Sequence, residues 1–345
     1  MLRYLTAGES HGKALMAILE GIPAGLRVRA LFINRELKRR QQGYGRGSRM
    51  RIEHDKAEII CGLKNHLTLG SPIGILIANR DHSIERLPAV LCPRPGHADL
   101  AGILKYGFRD ARYVLERASA RETASRVAIG AICKLLLSEF GVIVSSKVLS
   151  IGGFSLGAAK KKVEEAIKSK DTLGGIFEVT LRNVPPGLGS YAHADRRLDG
   201  RMAAGVMSIP AVKAVEVGLG FACADKFGSA VHDAIFYSKK HGYYRRTNNA
   251  GGIEGGVSNG ADIILRACMK PIATLLAPLD SVNILTHKPM KASVQRSDTC
   301  AVEAAGVVAE AVCAYVLADA LLEKFGSDNL RDIKEAFCSY IKKIR

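Results

Sequence analysis

Two stretches of the chain are apolar around most of a helical circumference. The first starts with an S-x-x-E capping box at residues 119–122, continues through residue 137 and meets a natural stop at Gly141. The second runs from about residue 300 to residue 325, with Gly326 directly after it. Because a helix that is apolar on nearly all sides must be buried on more than one, we predict two inner helices.

Apolar and polar residues alternate between the two helices. Alternation over residues 142–151, 176–184 and 211–218 predicts strands, whereas residues 160–170 and 195–207 have a helical period. Pro185-Pro186-Gly187 interrupts the pattern, but no low-complexity linker marks a domain boundary. Helices between strands, some of them buried, predict a layered α/β or α+β fold in a single domain over residues 1–345.

Composition points to an anionic partner. The chain has 345 residues, of which 48% are hydrophobic, and 50 Lys and Arg against 33 Asp and Glu give a net charge of +17. An excess of this size favours binding to nucleic acid, to a membrane surface or to a highly phosphorylated small molecule.

Cysteine usage and apolar runs indicate the compartment. Eight scattered cysteines form no C-x-x-C pair, which argues against a zinc site and against a disulfide framework. The N-terminus shows no targeting pattern, and the apolar stretch over residues 301–322 contains Glu303, Glu310 and Asp319. We therefore expect a soluble cytoplasmic protein that does not span a membrane.

The motif Gly8-Glu9-Ser10-His11-Gly12 is the first candidate for chemistry. Glycines allow a sharp turn and close approach of a ligand, and histidine exchanges a proton near neutral pH. The motif is typical of a loop that presents a proton donor to a ligand. The alternative is an ordinary turn with a solvated histidine.

Two further loops carry arginine and histidine. Residues 39–51 alternate arginines with glycines, a pattern that suits bidentate binding of phosphate or carboxylate, although a disordered basic loop or a nucleic-acid patch has the same composition. Residues 92–99 form a Pro-Gly turn that presents Arg94 and His97 just before a helix start. The alternative for His97 is a solvated or capping role.

Helix starts and a glycine-dense loop complete the set. Residues 116–122 lead into the first inner helix, where anions bind favourably, and simple capping is the alternative. Residues 248–260 are glycine-dense and suggest close approach to a ligand, or else a surface loop. Asp298 precedes the second inner helix as a candidate base or an ordinary ion-pair partner. Together these segments suit a site that binds a small polyanion and moves protons.

Taken in order, the motifs resemble the chorismate synthase family along essentially the whole chain. The opening motif with residues 20–25 is similar to the family's first signature, residues 117–127 to its second, and residues 296–311 to its third. Residues 40–50, 69–74, 94–99 and 250–260 also match in order. So many long motifs in register are far more specific than any one of them.

The resemblance implies a reaction, a cofactor and a fold. The reaction is a 1,4-elimination of phosphate from 5-enolpyruvylshikimate 3-phosphate that gives chorismate, a carbon–oxygen lyase step of the shikimate pathway. It requires reduced FMN without net redox change, with NADPH as a candidate reductant. The implied fold is an α+β, single-domain β-α-β sandwich with apolar helices between two antiparallel sheets, assembled as a homotetramer.

The resemblance also implies residue roles. His11 would protonate the departing phosphate, His97 the reduced flavin, and Asp298 would help a flavin nitrogen receive the substrate proton. Substrate-binding positions correspond to Ser10, Arg40, Arg46, Arg49, Arg94, Ser119, Arg121 and Arg296. FMN-binding positions correspond to Arg117, Ala118, Ser119, Pro210, Ala211, Gly255, Lys270, Pro271, Ile272, Ala273, Thr274 and Arg296, and Arg40 and Arg46 also match positions assigned to NADPH.

The chain departs from the family pattern in places. Ile272-Ala273-Thr274 stands where consecutive hydroxyl residues are usual, and Glu303 stands where proline is usual. A lost hydroxyl could weaken a flavin contact by about 1 kcal/mol.

Two other classes of protein are alternatives to the one that the resemblance implies. A nucleic-acid-binding protein would account for the charge, but the chain has no Trp, only 6% aromatic residues and no recognition motif. A conventional flavin oxidoreductase would consume one reduced flavin per product. The resemblance favours the elimination enzyme, with no nucleic-acid or membrane partner.

Overall fold

The structure is a computed structural model that describes residues 2–47, 53–239, 242–295 and 297–344. Its strands are β1 Arg3–Ala7, β2 Ala14–Glu20, β3 Ala57–Cys61, β4 Leu63–Lys64, β5 Leu67–Thr68, β6 Ile73–Ala78, β7 Ile143–Ile151, β8 Gly175–Arg182, β9 Val212–Val217, β10 Ile235–Ser238, β11 Gly242–Arg245, β12 Ile253–Glu254, β13 Val257–Ser258, β14 Ile263–Met269, β15 Asp280–Val282 and β16 Pro289–Lys291. Its helices are α1 Ala30–Gln41, α2 Asp99–Tyr106, α3 Arg112–Ala118, α4 Thr123–Ser138, α5 Leu156–Ser169, α6 Leu198–Met207, α7 Gly228–Val231, α8 Val302–Phe325 and α9 Leu330–Ile344. The chain therefore mixes helices with antiparallel strands, as an α+β fold does.

Two four-stranded antiparallel sheets form the framework. The first has the strand order β1-β2-β6-β3 and the second the order β7-β8-β14-β9. In the second sheet, alternate residues of β8 such as Phe177, Val179 and Leu181 are buried, and Val179 lies opposite the buried Leu265 of β14. Each sheet thus turns one apolar face towards the interior.

Helices α4 and α8 connect the two sheets. Helix α4 packs against β2 and β6 of the first sheet, α8 packs against β7 and β8 of the second, and the two helices pack against each other. Helix α1 contacts both of them. Helix α8 is long and apolar enough to cross a bilayer, but nearly all of its residues are buried inside the protein. A helix buried in this way belongs to the core of the fold.

The structure confirms both inner helices and the three predicted strands, and it corrects the start of α4. A short 3₁₀ turn, Ala120–Glu122, precedes that helix, and Ser119 Oγ accepts from Arg121 N at 3.3 Å. The Glu122 carboxylate accepts from the Thr6 hydroxyl and from Arg126 instead of reaching back to Ser119. The expected capping box is therefore wrong in its second half, because tertiary partners occupy the glutamate.

The two inner helices approach each other closely at Gly130. A Cβ built there would lie 2.6 Å from the Ala311 carbonyl oxygen and still nearer to the Ala311 Cα and Cβ. A side chain of any size would therefore push the helices apart.

We predict that Gly130→Ala destabilises the protein by about 2 kcal/mol, because overpacking outweighs the better helix propensity of alanine. Gly157→Ala is the matched control, since Gly157 is also helical but has nothing within 4 Å of a built Cβ. The control should leave stability unchanged or raise it by up to about 1 kcal/mol. Urea unfolding at fixed protein concentration measures both, and equal stabilities of the two variants would contradict the prediction.

Candidate active site

A cavity of about 720 Å³ lies where α4 and α8 begin. Its walls come from the loop after β1, the end of α1, the turn before α2, the loop after β14 and the starts of both inner helices. The lining includes most of the residues expected from the sequence: Ser10, His11, Arg40, Arg46, Arg94, His97, Ala118, Ser119, Arg121, Pro210, Ala211, Lys270, Ile272, Ala273, Thr274 and Asp298. Distant parts of the chain thus meet at one place.

His11 is held by a carboxylate. Its Nδ1 lies 3.0 Å from both oxygens of Glu116, and its backbone N–H donates to Glu116 Oε2 at 2.8 Å. Glu116 also pairs with Arg112 at 3.3 Å. Burial raises the pKa of the Glu116 carboxyl, but the bonds and charge of His11 and the bond from Arg112 outweigh it, so that pKa lies below its usual value. The carboxylate therefore stays charged beneath the imidazole.

His97 has a similar arrangement. Its Nδ1 lies 2.5 Å from Oδ1 of the fully buried Asp99, which also accepts from Arg94 Nε at 2.8 Å and from Arg94 Nη2 at 3.0 Å. Arg94 Nη1 donates to Thr274 Oγ1 at 2.6 Å. Although burial opposes ionisation, the hydrogen bonds from His97 and Arg94 hold the pKa of the Asp99 carboxyl well below its usual range.

Asp298 receives the arginine-glycine loop. Its Oδ1 accepts from Gly47 N at 2.6 Å, and its Oδ2 lies 3.3 Å from Arg46 Nε. Gly47 has to be a glycine here, because a built Cβ would lie 2.6 Å from the Ser297 carbonyl oxygen. The loop therefore docks just before α8 and brings Arg46 into the cavity wall.

Two buried arginines in the lining each keep one nitrogen outside the hydrogen bonds of the described residues. Arg40 donates to Thr123 Oγ1 at 2.9 Å, and Arg121 Nη1 donates to Asp55 Oδ1 at 2.6 Å. Arg40 Nη1 and Arg121 Nη2, however, have no hydrogen-bond partner among the described residues. Burial lowers the pKa of the Arg40 guanidinium to about 10; Asp55 opposes that shift and Arg121 adds to it. Unsatisfied buried N–H groups on two cations suit an anionic ligand.

The lining also contains apolar residues and one lysine, Lys270. Ile209, Ile272 and Val308 contribute apolar surface. Ala211 holds a φ of 69°, a left-handed conformation that is costly for a residue with a Cβ, and its carbonyl accepts from Lys270 N at 2.9 Å. Burial, and after it the charge of Lys213, lowers the pKa of the Lys270 amine. The cavity can therefore bind a polyanion beside an apolar ring and exchange protons with it.

Comparisons with known proteins identify the family. The chorismate synthase family model matches residues 2–322. The chain belongs to the chorismate synthase family. It is 54% identical over 344 residues to chorismate synthase of Thermoanaerobacter pseudethanolicus, covering 99% of this chain and 98% of that protein. It is 50% identical over 391 residues to chorismate synthase of Aquifex aeolicus, covering 100% and 98%. A crystal structure of chorismate synthase superposes with a TM-score of 0.83 at 44% identity, covering 99% of this chain and 98% of the other.

Some positions that the family pattern implicates lie elsewhere. Arg49 and Arg296 fall outside the described residues. Arg117 donates to the Gly8 and Thr6 carbonyls, and neither it, Gly255 nor Pro271 lines the cavity formed by the described part of the chain.

The sequence suggested that the glycine-dense loop, residues 248–260, closely approaches a ligand. In the structure its glycines closely approach the backbone of the protein itself. A built Cβ at Gly252 would lie 2.5 Å from the Asp262 carbonyl oxygen. In this region the glycines accommodate the backbone of the protein, and the hairpin of β12 and β13 carries Gly255 at its turn.

Sequence reasoning missed the carboxylates behind the site. Asp55, Asp99 and Glu116 each bond an arginine or histidine of the cavity in this member of the chorismate synthase family. Asp99 could have been suspected from its spacing two residues after His97. Asp55 and Glu116 could not, because their partners are far away along the chain.

We predict that Asp99→Asn lowers the free energy of unfolding by about 3 kcal/mol at pH 7, since it leaves Arg94 buried beside an uncharged partner. Because the native pKa of this carboxyl is depressed, its contribution is complete above the unfolded value of about 3.9 and is lost as pH falls towards the native value. The difference between variant and wild type should therefore shrink below about pH 4.

Asp195→Asn is the matched control, because Asp195 makes the same kind of pair with His193 at the surface, at 2.7 Å. The control should behave like the wild type in urea unfolding at both pH values. A pH-independent loss for Asp99→Asn would show that the carboxylate charge is not what stabilises this turn.

Proposed function

We propose that the chain converts 5-enolpyruvylshikimate 3-phosphate into chorismate by 1,4-elimination of phosphate, with reduced FMN and without net redox change. This is the lyase step that leads towards aromatic amino acids. The observation that carries the proposal is the convergence of two carboxylate-bound histidines, Asp298 and two buried arginines on one cavity of a chorismate synthase family member.

The charge of the cavity supports an anionic substrate. The proposed substrate has a phosphate and two carboxylates, and Arg40 and Arg121 each have a guanidinium nitrogen that makes no hydrogen bond within the described part of the chain. These nitrogens lie 3.6 Å from Asp55 Oδ2 and 3.9 Å from Glu53 Oε2. The starts of α4 and α8 add the positive ends of two helix dipoles. Ser10, Arg46 and the other cavity arginines are proposed as further substrate contacts.

The histidines support the proton transfers. We propose that His11 donates a proton to the departing phosphate and that His97 holds a proton for the reduced flavin. Asp298, tied to Gly47 N and Arg46, is proposed to help a flavin nitrogen receive the proton that leaves the substrate. Each group lines the same cavity, so a ligand there can reach all of them.

The apolar residues of the lining, among them Ile209, Ile272 and Val308, support the proposal that a flavin binds in the cavity. Ala118, Ser119, the Pro210-Ala211 turn, Lys270 and residues 272–274 are proposed to hold the ring system and its phosphate. When bound, reduced FMN would supply reducing power during the elimination and be regenerated at its end, without net redox change. NADPH is proposed as its reductant, with Arg40 and Arg46 as the contacts that the family pattern assigns to it.

The rest of the family pattern is proposed with the reaction. Helices α4 and α8 between the two sheets would form the middle layer of a β-α-β sandwich. Exposed apolar residues on the first sheet, among them Leu5, Met16 and Ile18, support burial against other copies in a homotetramer. We propose a cytoplasmic location, with neither nucleic acid nor membrane as a partner.

An anaerobic assay tests the proposal. The protein is given 5-enolpyruvylshikimate 3-phosphate and chemically reduced FMN, and phosphate and chorismate are followed. We expect both products in equal amounts, and no product above a His11→Ala control would contradict the proposal. Consumption of one reduced flavin per product would indicate an oxidoreductase instead. Repeating the assay with NADPH and oxidised FMN tests whether the protein reduces its own flavin.

Single substitutions test the residue roles. We predict that His97→Ala and Asp298→Ala each lower turnover by about a hundredfold, as loss of general acid–base groups does. His193→Ala is the matched control, because His193 is an exposed histidine bonded to Asp195, away from the cavity. Near-normal rates for His97→Ala or Asp298→Ala would remove that residue from the mechanism.

A further inference from the structure

Glu116 holds the histidine loop through several bonds. Its carbonyl accepts from Ser10 N at 2.9 Å, its Oε2 accepts from His11 N at 2.8 Å, and both of its oxygens lie 3.0 Å from His11 Nδ1. The Glu116 side chain is 2% exposed, against 19% for His11. The last turn of α3 therefore fixes both the backbone and the ring of His11.

This contact determines which ring nitrogen exchanges a proton. An ionised carboxylate can only accept hydrogen bonds, so His11 Nδ1 must carry a hydrogen to bond with Glu116. When the ring is doubly protonated, Nε2 is then the nitrogen that can give its proton to a ligand, which leaves the neutral Nδ1–H ring. We infer that Glu116 is a positioning residue for His11, which keeps the hydrogen on Nδ1 and leaves Nε2 to act; this inference rests on the proposed function.

The carboxylate is itself held in place. Arg112 Nη1 donates to Glu116 Oε1 at 3.3 Å, while Arg112 Nε and Nη2 donate to the Pro88 carbonyl at 3.0 and 2.9 Å. The loop that follows β6 adds a further tie, because Ile84 N donates to the His11 carbonyl at 3.1 Å. The His11 imidazole, the Glu116 carboxylate and the Arg112 guanidinium thus form a row of bonded groups, with the imidazole at the cavity.

The second cavity histidine also has a carboxylate at Nδ1. His97 Nδ1 lies 2.5 Å from Asp99 Oδ1, and Asp99 is bonded by Arg94, whose Nη2 also lies 3.0 Å from His97 Nδ1. The two rows come from different elements, so the likeness does not follow from one shared segment. A carboxylate behind Nδ1 is therefore a common feature of both proposed proton donors.

Glu116→Gln tests the inference, because the amide oxygen can still accept from His11 N while the negative charge is gone. We predict that kcat falls about a hundredfold, since the imidazole loses both its charged partner and its fixed tautomer, and that KM changes by less than about threefold. Glu178→Gln is the control, a glutamate paired with Lys147 at 2.8 Å on the second sheet. Its kcat should match that of the wild type.

A second measurement does not depend on activity. Nitrogen-15 NMR of protein labelled at histidine, with the His11 signal identified by its loss in His11→Ala, reports which nitrogen carries the hydrogen in the neutral ring. We expect the Nδ1–H form in the wild type and a shift towards the Nε2–H form in Glu116→Gln.

The two readouts separate the inference from the proposed function. A wild-type ring in the Nε2–H form, or a kcat for Glu116→Gln within about threefold of the wild type, would overturn the positioning role. If the anaerobic assay fails while the wild-type His11 ring is in the Nδ1–H form, the proposed elimination is overturned. The pairing of Glu116 with His11 then still stands. If Glu116→Gln does not fold, the tautomer of the wild type decides the question alone.

Discussion

The close packing of α4 against α8 at Gly130 is the constraint on which the site depends. Because Gly130 has no side chain, the Ala311 backbone fits against it, and the two helices begin side by side at the cavity. Thr123 at the start of one helix and Ala301 at the start of the other therefore line the same space. A packing requirement in the core thus brings two helix N-termini, with the positive ends of their dipoles, to one cavity.

A buried charge cluster ties a third helix to this pair. Glu310 of α8 is fully buried and accepts from Arg39 of α1 at 2.7 Å, from Lys134 of α4 at 2.5 Å and from Ser146 of β7 at 2.6 Å. Charges removed from water are tolerable only when paired in this way. Since Arg40 follows Arg39 directly on α1, the cluster fixes the helix that presents a guanidinium to the cavity. The position of the Arg40 guanidinium therefore depends on core electrostatics as well as on packing.

An element can be predicted from the sequence where its pattern of apolar and polar residues is distinctive. Helix α8 was predictable because it is apolar on every side, and β8 because its residues alternate. Strand β2 was not, because it buries one face and still exposes Met16 and Ile18 on the other, which leaves no alternation to detect. Glu116 was missed for a different reason: its partner His11 lies 105 residues away. Sequence patterns report local periodicity, whereas a long-range polar pair is visible only once the chain is folded.

The arginines in and behind the cavity lining differ in what their nitrogens already bind. Arg94 donates from all three guanidinium nitrogens to Asp99 or Thr274, and Arg112 donates to Glu116 and Pro88. Arg40 and Arg121 instead keep a buried nitrogen without a hydrogen-bond partner in the described residues. An arginine engaged at every nitrogen serves to fix a carboxylate, and through it a histidine ring, while one with an unsatisfied nitrogen gains most from an incoming anion. Family resemblance groups Arg94 with the substrate contacts, and its bonds to Asp99 and Thr274 fix where its guanidinium lies in the cavity lining. Side chains of the same chemical type thus differ in this site by how many of their nitrogens the protein already binds.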